Sequence, residues 1–228
     1  MYWSAALISL QTAATAIAFT FFLGVAAARF VAGLRRNAWK MLLDGLFPLP
    51  LVLPPTVIGF FLLFTFGVNR SAGRFLAEFF GYKIAFSWGA TVLAAVVVSF
   101  PLMYRAARGA LEQVDPNLVY AARTLGLSEW RIFWRICLPA ALPGVAAGGV
   151  LAFARGMGEF GATAMIAGNI LGKTRTLPLA VYSAVAAGDM ESAYGYVAVI
   201  VGVSFAVVAG MNHFLAKERR RRRKGVGA

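Results

Sequence analysis

Hydrophobic residues run through this chain in long blocks, and strict alternation with polar residues is absent from them. Five blocks lack Asp, Glu, Lys and Arg altogether and lie at residues 1–28, 45–69, 84–104, 136–154 and 192–216. Each approaches or exceeds the roughly 20 residues that an α-helix needs to cross a bilayer. A transmembrane β-barrel would show short segments of alternating polarity instead. The pattern predicts an all-α polytopic membrane protein with five transmembrane helices.

The overall composition excludes a water-soluble domain and argues against redox chemistry and metal catalysis. Of the 228 residues, 60% are hydrophobic and only 14% are charged, with a mean hydropathy of +0.73. That is more apolar material than one soluble core can bury. Cys137 and His213 are the single cysteine and the single histidine. Neither an intrachain disulfide nor a zinc, haem or iron–sulfur ligand set is therefore expected.

The distribution of basic residues predicts the orientation. With five crossings and the N-terminus outside, sixteen Lys and Arg residues fall on the inner side and five on the outer side, as the positive-inside rule requires. Seven of the sixteen belong to a tail at residues 217–228. We expect this tail to lie in the cytoplasm and to bind anionic lipid headgroups rather than nucleic acid. Residues 1–216 are predicted to form a single transmembrane domain, N-out and C-in.

A sixth crossing at residues 176–188 is the alternative topology. It would leave the basic tail outside and reverse the charge bias. Its 13 uncharged residues are also too few to span a bilayer. We therefore expect a short re-entrant or interfacial helix on the outer side.

The second block is rich in proline where a regular helix would otherwise run. Pro48, Pro50, Pro54 and Pro55 each remove a backbone donor and obstruct the preceding turn. A helix here must be kinked or partly unwound at membrane depth. Such backbone is tolerated only where protein buries it or where it lines a polar cavity. The segment is a candidate for a transport pathway, with a structural kink packed against neighbours as the alternative.

The loop at residues 105–138 lies on the predicted inner side and is punctuated like two short helices. Asp115-Pro116 is a strong helix start and Gly126 a natural stop. The first helix carries one apolar face, made of Leu118, Ala121, Ala122 and Leu125.

The second helix of this loop can be capped by Ser128, and Leu138-Pro139 is expected to end it. Trp130, Phe133, Trp134 and Cys137 recur on one face of it. Two such amphipathic helices could lie on lipid headgroups or dock into a partner protein. The small pair Ala121-Ala122 beside a glycine turn favours docking.

The same loop resembles a known motif. Ala121-Ala122, three residues, Gly126, nine residues and Ile136-Cys137-Leu138-Pro139 are similar to the EAA loop of ABC importer permeases, except that Tyr120 stands at the usual glutamate. The similarity extends over most of the chain, to residues 48–59, 99–103, 121–126 and 152–163. Together these segments resemble the molybdate permease family, which is related to the sulfate and thiosulfate permeases.

This resemblance implies a type I ABC importer permease fold, two copies of which enclose one pathway in the plasma (inner) membrane of a bacterium or archaeon. It further implies that the loop docks as coupling helices into a cytoplasmic ATP-hydrolysing subunit. The implied contact residues are Ala121, Ala122, Arg123, Leu125, Gly126, Trp130, Leu138 and Pro139.

The resemblance also implies a gate made by the second and fourth spans. Arg155 and Glu159 lie four residues apart near the outer end of the fourth block, and they are expected to meet on one helix face. They form either a self-neutralising pair or a site where Arg155 guides an oxyanion. The expected gate residues are Pro54, Pro55, Thr56, Gly59, Arg155, Glu159, Phe160 and Gly161.

The outer loop carries Lys173 and Arg175, which we expect to contact a soluble binding protein that delivers substrate. No Gly-x-x-x-x-Gly-Lys-Ser/Thr phosphate loop occurs in the chain, so ATP and Mg²⁺ are expected on the partner ATPase. This chain is expected to be non-catalytic, with no cofactor or metal of its own.

The sequence is compatible with several functions. Molybdate, with tungstate, is the expected cargo, and sulfate or thiosulfate is the alternative within the class. A secondary transporter working alone would be expected to show inverted repeats or several buried carboxylates. A membrane-embedded enzyme is disfavoured because catalytic side chains are not clustered.

Overall fold

The computed structural model describes the backbone of residues 2–34 and 38–226, and the side chains of residues 3–34, 38–211 and 213. Within these ranges every regular element is a helix. In chain order they are α1 (Tyr2–Gly33), α2 (Ala38–Leu46), α3 (Leu49–Val52), α4 (Pro55–Phe66), α5 (Ser71–Phe80), α6 (Trp88–Glu112), α7 (Pro116–Thr124), α8 (Glu129–Ile132), a π-helical turn (Phe133–Cys137), α9 (Leu138–Met157), α10 (Gly161–Ala167), α11 (Leu177–Ala186) and α12 (Met190–Val226).

In the described part of the chain, four helices and one bent pair are long and apolar enough to cross a membrane, which agrees with five spans when the bent pair is taken as one. Four are continuous and lie within α1, α6, α8 to α9, and α12. The fifth consists of residues 38–52 and 55–66, which are bent by 109° against each other. The helix α11 has ten residues and is too short to cross, as expected.

The bend in the second span occurs where the prolines predicted it. Helix α3 ends at Val52, Leu53 is extended with ψ 139°, and Pro54 is extended as well with ψ 137°. A residue that precedes proline is pushed out of the helical region, and Pro55 can only begin a new helix. The span therefore has an inner arm, α2 and α3, and an outer arm, α4.

The prediction that Leu138-Pro139 ends a helix is wrong, because the fourth span continues through these residues. Residues 129–157 form one continuous span. The Leu138 N–H donates to the Phe133 carbonyl five residues earlier, so the turn before Pro139 is wider than an α-helical turn. A wider turn makes room for the proline ring and tolerates its missing donor.

The helices α1, α6 and α9 form the core of the fold and approach closely through small residues. A side chain added at Gly148 would come within 2.3 Å of the Ala106 Cβ, and one at Gly144 within 2.7 Å of the Ala110 Cβ. Buried hydroxyls also join α1 to α6, because Thr12 bonds to Thr91 at 2.9 Å. Such contacts are typical of helix packing in lipid.

The last helix continues beyond the fifth span. The backbone of α12 is helical without interruption from Met190 through residue 216 to Val226. The domain boundary predicted at residue 216 therefore stays a prediction. The side chains of the predicted basic tail, residues 217–228, lie outside the described residues.

Candidate functional site

The first residues of α4 pack directly against α10, and both segments were predicted to form a gate. A Cβ at Gly59 would lie 2.8 Å from the Ala162 Cα, and a Cβ at Gly161 would lie 2.9 Å from the Pro55 Cβ. Only glycine allows two backbones to approach this closely. The structure therefore brings Pro55, Gly59 and Gly161 together in one junction, which we call the α4–α10 junction.

The exposed part of this junction lies next to the bend of the second span. Pro54 and Thr56 are exposed, whereas Gly59 is buried. The Ile58 N–H donates to the Pro54 carbonyl at 3.2 Å, which starts the α4 helix directly after the bend. Thr56 is thus placed at the surface of the junction.

A second break in the chain lies at the other half of the junction. Helix α9 ends at Met157 and α10 begins at Gly161, so Glu159 lies between the two helices. Arg155 and Glu159 do meet, with 2.7 Å between Nη1 and Oε2. The expectation that they share one helix face is wrong, because α9 ends before Glu159.

The carboxylate of Glu159 has two structural tasks. Its side chain is only 2% exposed. Besides the Arg155 bond, its Oε1 accepts the Ala162 N–H at 2.8 Å, which satisfies a donor at the start of α10. The Arg155 side chain is 31% exposed, so it lies between the buried carboxylate and the surface.

Phe160 follows Glu159 directly and contacts α11, and the outer loop lies just before that helix. The Phe160 ring lies 5.1 Å from the Tyr182 ring of α11. In the loop, the Arg175 Nε donates to the Asn169 Oδ1 at 2.8 Å, and Lys173 is exposed. Lys173 is thus presented at the surface, whereas Arg175 is held against the loop.

The inner loop forms a hairpin of α7 and α8, which we call the docking hairpin (residues 115–132). Asp115 caps α7 by accepting the Asn117 N–H at 2.9 Å. Gly126 turns the chain with φ +75°, a conformation that favours glycine. Arg123 bonds to both carboxylate oxygens of Glu129, at 2.7 and 3.2 Å, and so joins the two helices.

Most of the apolar face predicted for this hairpin is exposed. Ala122 is buried, but Ala121 is exposed, Leu125 is 80% exposed and Trp130 is 62% exposed. Ile132 at the end of the hairpin is buried, so the uncovered part of the face lies around Leu125 and Trp130. Exposed apolar groups grouped in this way indicate an interaction surface.

The hairpin is attached to the first span through an arginine. The guanidinium of Arg29 lies 4.9 Å from the centre of the Trp130 ring and 4.2 Å from that of the Phe133 ring. Leu138 and Pro139 follow in the continuous fourth span, where Leu138 is half-buried and Pro139 is exposed. The expected contact residues thus divide between an exposed hairpin and the start of a span.

A polar cluster that was not predicted from the sequence lies at the inner end of α6. The Tyr104 side chain is buried, and its hydroxyl donates to the Asp44 Oδ1 at 2.7 Å. Arg108 donates to the same hydroxyl at 2.8 Å and pairs with Asp44 and Glu112. The spacing of four between these α6 residues was a signal for contact, but their link to α2 requires the tertiary fold.

Comparison with known proteins identifies the protein family to which this chain belongs. A family model described as "Binding-protein-dependent transport system inner membrane component" matches residues 6–221. The chain belongs to this family, and it is an inner-membrane permease of the ABC importer class, as the EAA-like loop indicated.

The chain is similar to permease proteins of molybdenum and sulfate transport systems. The molybdenum transport system permease protein of Escherichia coli K12 is 44% identical over 224 residues, covering 96% of each chain. Its counterpart in Haemophilus influenzae is 53% identical over 157 residues, covering 68% of this chain and 69% of the relative. The sulfate transport system permease protein CysT of E. coli K12 is 35% identical over 80% of this chain and 65% of the relative.

Solved structures support the fold. The inward-facing MetNI methionine ABC transporter matches with a TM-score of 0.74 at 15% identity, covering 93% of this chain and 94% of that chain. A bacterial alginate ABC transporter in complex with a periplasmic protein matches with a TM-score of 0.70 at 14% identity, covering 92% and 76%. The predicted type I importer fold is confirmed.

The ion pair at the junction generates a stability prediction. Arg155→Gln leaves the buried Glu159 carboxylate without its cation, so we expect a loss of about 2 kcal/mol of unfolding free energy. The double variant Arg155→Gln/Glu159→Gln removes that charge and should recover part of the loss. Thermal unfolding in detergent measures both, with Lys173→Gln as an exposed control. A double variant less stable than the single one would contradict the buried-charge explanation.

Proposed function

We propose that this chain is the membrane subunit of an ATP-driven importer that moves molybdate, and tungstate with it, into the cytoplasm. The observation that carries the proposal is the 44% identity to a molybdenum permease over 96% of both chains. Two copies of the chain enclose the pathway, and two ATPase subunits bind on the cytoplasmic side. The chain itself is non-catalytic and holds no cofactor, since ATP and Mg²⁺ belong to the ATPase.

The α4–α10 junction supplies the gate in this proposal. Molybdate is a dianion, and it needs donors and positive potential without tight binding, so that it can leave again. Arg155 meets this need because its side chain is 31% exposed while its Nη1 donates to Glu159 at 2.7 Å. The neighbouring carboxylate weakens the attraction for an anion without abolishing it.

The docking hairpin supplies the coupling to ATP hydrolysis. Its exposed Leu125 and the glycine turn at Gly126 enter a cleft of the ATPase. The Arg123–Glu129 pair keeps the two helices together as one unit. From α8 the chain runs without a break through the π-helical turn to Arg155, so a movement of the hairpin reaches the gate along one span. Coupling of this kind requires different contacts in the two states.

The outer loop is the proposed docking site for a substrate-binding protein. Lys173 is exposed and Arg175 is fixed by Asn169, which places two cations at the rim. Rim charges mainly steer association. A periplasmic protein is bound in the solved alginate transporter, which has this fold.

Sulfate transport is a second candidate, because a sulfate permease is 35% identical over 80% of this chain. Sulfate and molybdate are both tetrahedral dianions, so the membrane subunit by itself discriminates little between them. Discrimination then rests with the binding protein.

Uptake of labelled molybdate tests the cargo directly. The chain is supplied with its ATPase and binding protein to cells that lack their own high-affinity system. We expect ATP-dependent uptake that excess tungstate blocks and excess sulfate does not. Inhibition by sulfate would assign the chain to a sulfate-type importer, and uptake without the ATPase would indicate a secondary transporter.

Gly126→Asp tests the docking hairpin. No atom lies within 4 Å of a Cβ built at Gly126, so the Asp side chain has room in this chain, although the φ of +75° strains its backbone. Its charge and bulk meet the docked ATPase. We expect a stably inserted subunit with uptake reduced at least about tenfold, a loss typical of one unfavourable buried contact. Gly126→Asn is the matched uncharged control, since Asn also accepts positive φ. Normal uptake by the aspartate variant would refute the coupling assignment.

A further inference from the structure

We propose that Arg105 forms a second anion-binding position on the transport pathway, at its cytoplasmic end. The inference rests on the proposed function and adds to it a binding residue and the chemistry that it recognises, a tetrahedral oxyanion such as molybdate. Arg105 is not part of the EAA-like motif, of the gate or of the docking hairpin.

The position of Arg105 along α6 sets its depth. It is the first charged residue after the uncharged block 84–104. Arg108 follows three residues later, roughly 4.5 Å further toward the cytoplasm along the helix axis. An anion that travels inward along α6 therefore meets Arg105 before any other charge of this helix.

Arg105 lies on the face of α6 that is opposite the core of the fold. Met103 and Ala107, its neighbours two positions away, are fully buried in the cluster that joins α6 to α1 and α9. Arg105 is exposed. The side chain thus points away from the first span.

Two cavities meet at Arg105. One has a volume of about 450 Å³ and lies between α6 and the inner arm of the bent span, with Pro48, Leu49 and Val52 in its wall. The other has a volume of about 580 Å³ and lies between α6 and α9. Arg105 and Gly109 line both, and no atom lies within 4 Å of a Cβ built at Gly109. The arginine thus stands on an open ridge between three of the spans.

The other charged groups in the walls of these cavities are Asp44, Arg108, Glu112 and Asp115. Asp44 and Glu112 both pair with Arg108, and Asp115 accepts the Asn117 N–H. Arg105 makes no hydrogen bond or ion pair with any residue that the structure describes. It is therefore the cation in these cavities whose N–H donors are available to a ligand.

A guanidinium suits a tetrahedral oxyanion because two of its N–H groups can bond to two oxygens at once. Because the cavities are open, water screens the attraction and binding stays weak. Weak binding at the inner end allows release. Arg155 and Arg105 then place one cation at each end of a pathway whose spans are otherwise uncharged between them.

The test uses proteoliposomes that contain the complete importer with its ATPase and binding protein. Arg105→Gln should lower the rate of molybdate uptake about fivefold, the effect of one charge on a dianion several Å away in water. Arg105→Lys keeps the charge and should retain most of the rate. Arg221→Gln removes one inner positive charge from the tail and serves as the control for topology. Equal rates for wild type and Arg105→Gln would overturn the inference.

A cysteine variant separates charge from side-chain size. In a Cys137→Ser background, Arg105→Cys is treated from the cytoplasmic side with a positive or a negative methanethiosulfonate reagent. The positive reagent should restore uptake, and the negative one should not. Equal effects of the two reagents would overturn the inference.

Two further outcomes distinguish the possible causes. Anionic lipid headgroups carry similar chemistry, so uptake is compared in vesicles of phosphatidylcholine with and without phosphatidylglycerol. The fivefold loss should be the same in both, and a loss confined to the anionic vesicles would assign Arg105 to lipid and overturn the inference. If the wild-type importer moves no oxyanion, the proposed function fails with it. Normal wild-type uptake with no effect of Arg105→Gln refutes this inference alone.

Discussion

The constraint on which this structure depends is that no backbone polar group can be left unpaired at membrane depth. Two of the breaks between helices matter most here, one at Leu53-Pro54 and one between Met157 and Gly161. Both breaks lie at the α4–α10 junction, where Gly59, Glu159 and Gly161 are buried and Pro54 is exposed. The prolines have no N–H to satisfy, and Glu159 accepts the Ala162 N–H at 2.8 Å. An interruption that lipid would not tolerate is thereby stable, and it creates an irregular surface beside a partly exposed arginine.

The remaining features of the fold connect this junction to the cytoplasm. The inner arm of the bent span is held to α6 by Asp44, Tyr104 and Arg108, whereas its outer arm packs on α10 through Gly59. The outer arm also packs on α6 through Ile58 and Leu62, so the two arms share α6 as a neighbour and the outer arm contacts α10 in addition. The docking hairpin enters the fourth span directly, and Arg29 attaches it to the first. In the proposed mechanism, closure of the ATPases moves the hairpin, and the bend at Leu53-Pro54 allows the arms to change their angle.

Much of the fold could be predicted from the sequence, because long uncharged blocks have few stable alternatives to spanning helices. The bend followed from the prolines, and the contact between Arg155 and Glu159 from their spacing. Other features depend on tertiary structure. The widened turn that accommodates Pro139 and the exposure of Leu125 are not encoded in local periodicity, and neither is the link from Tyr104 to Asp44. The roles of the gate and docking residues stay predictions, since contact alone does not establish transport or coupling.

The central claim is that the α4–α10 junction borders a pathway that opens to one side at a time. Thr56 lies exposed at this junction, and the reactivity of Thr56→Cys in a Cys137→Ser background measures its access to water. In the assembled importer, membrane-impermeant thiol reagents are applied from each side, with and without ATP and vanadate. The account predicts that the reactive side changes with the nucleotide state. Reactivity that is absent in every state, or that is the same from both sides whatever the nucleotide, would contradict it.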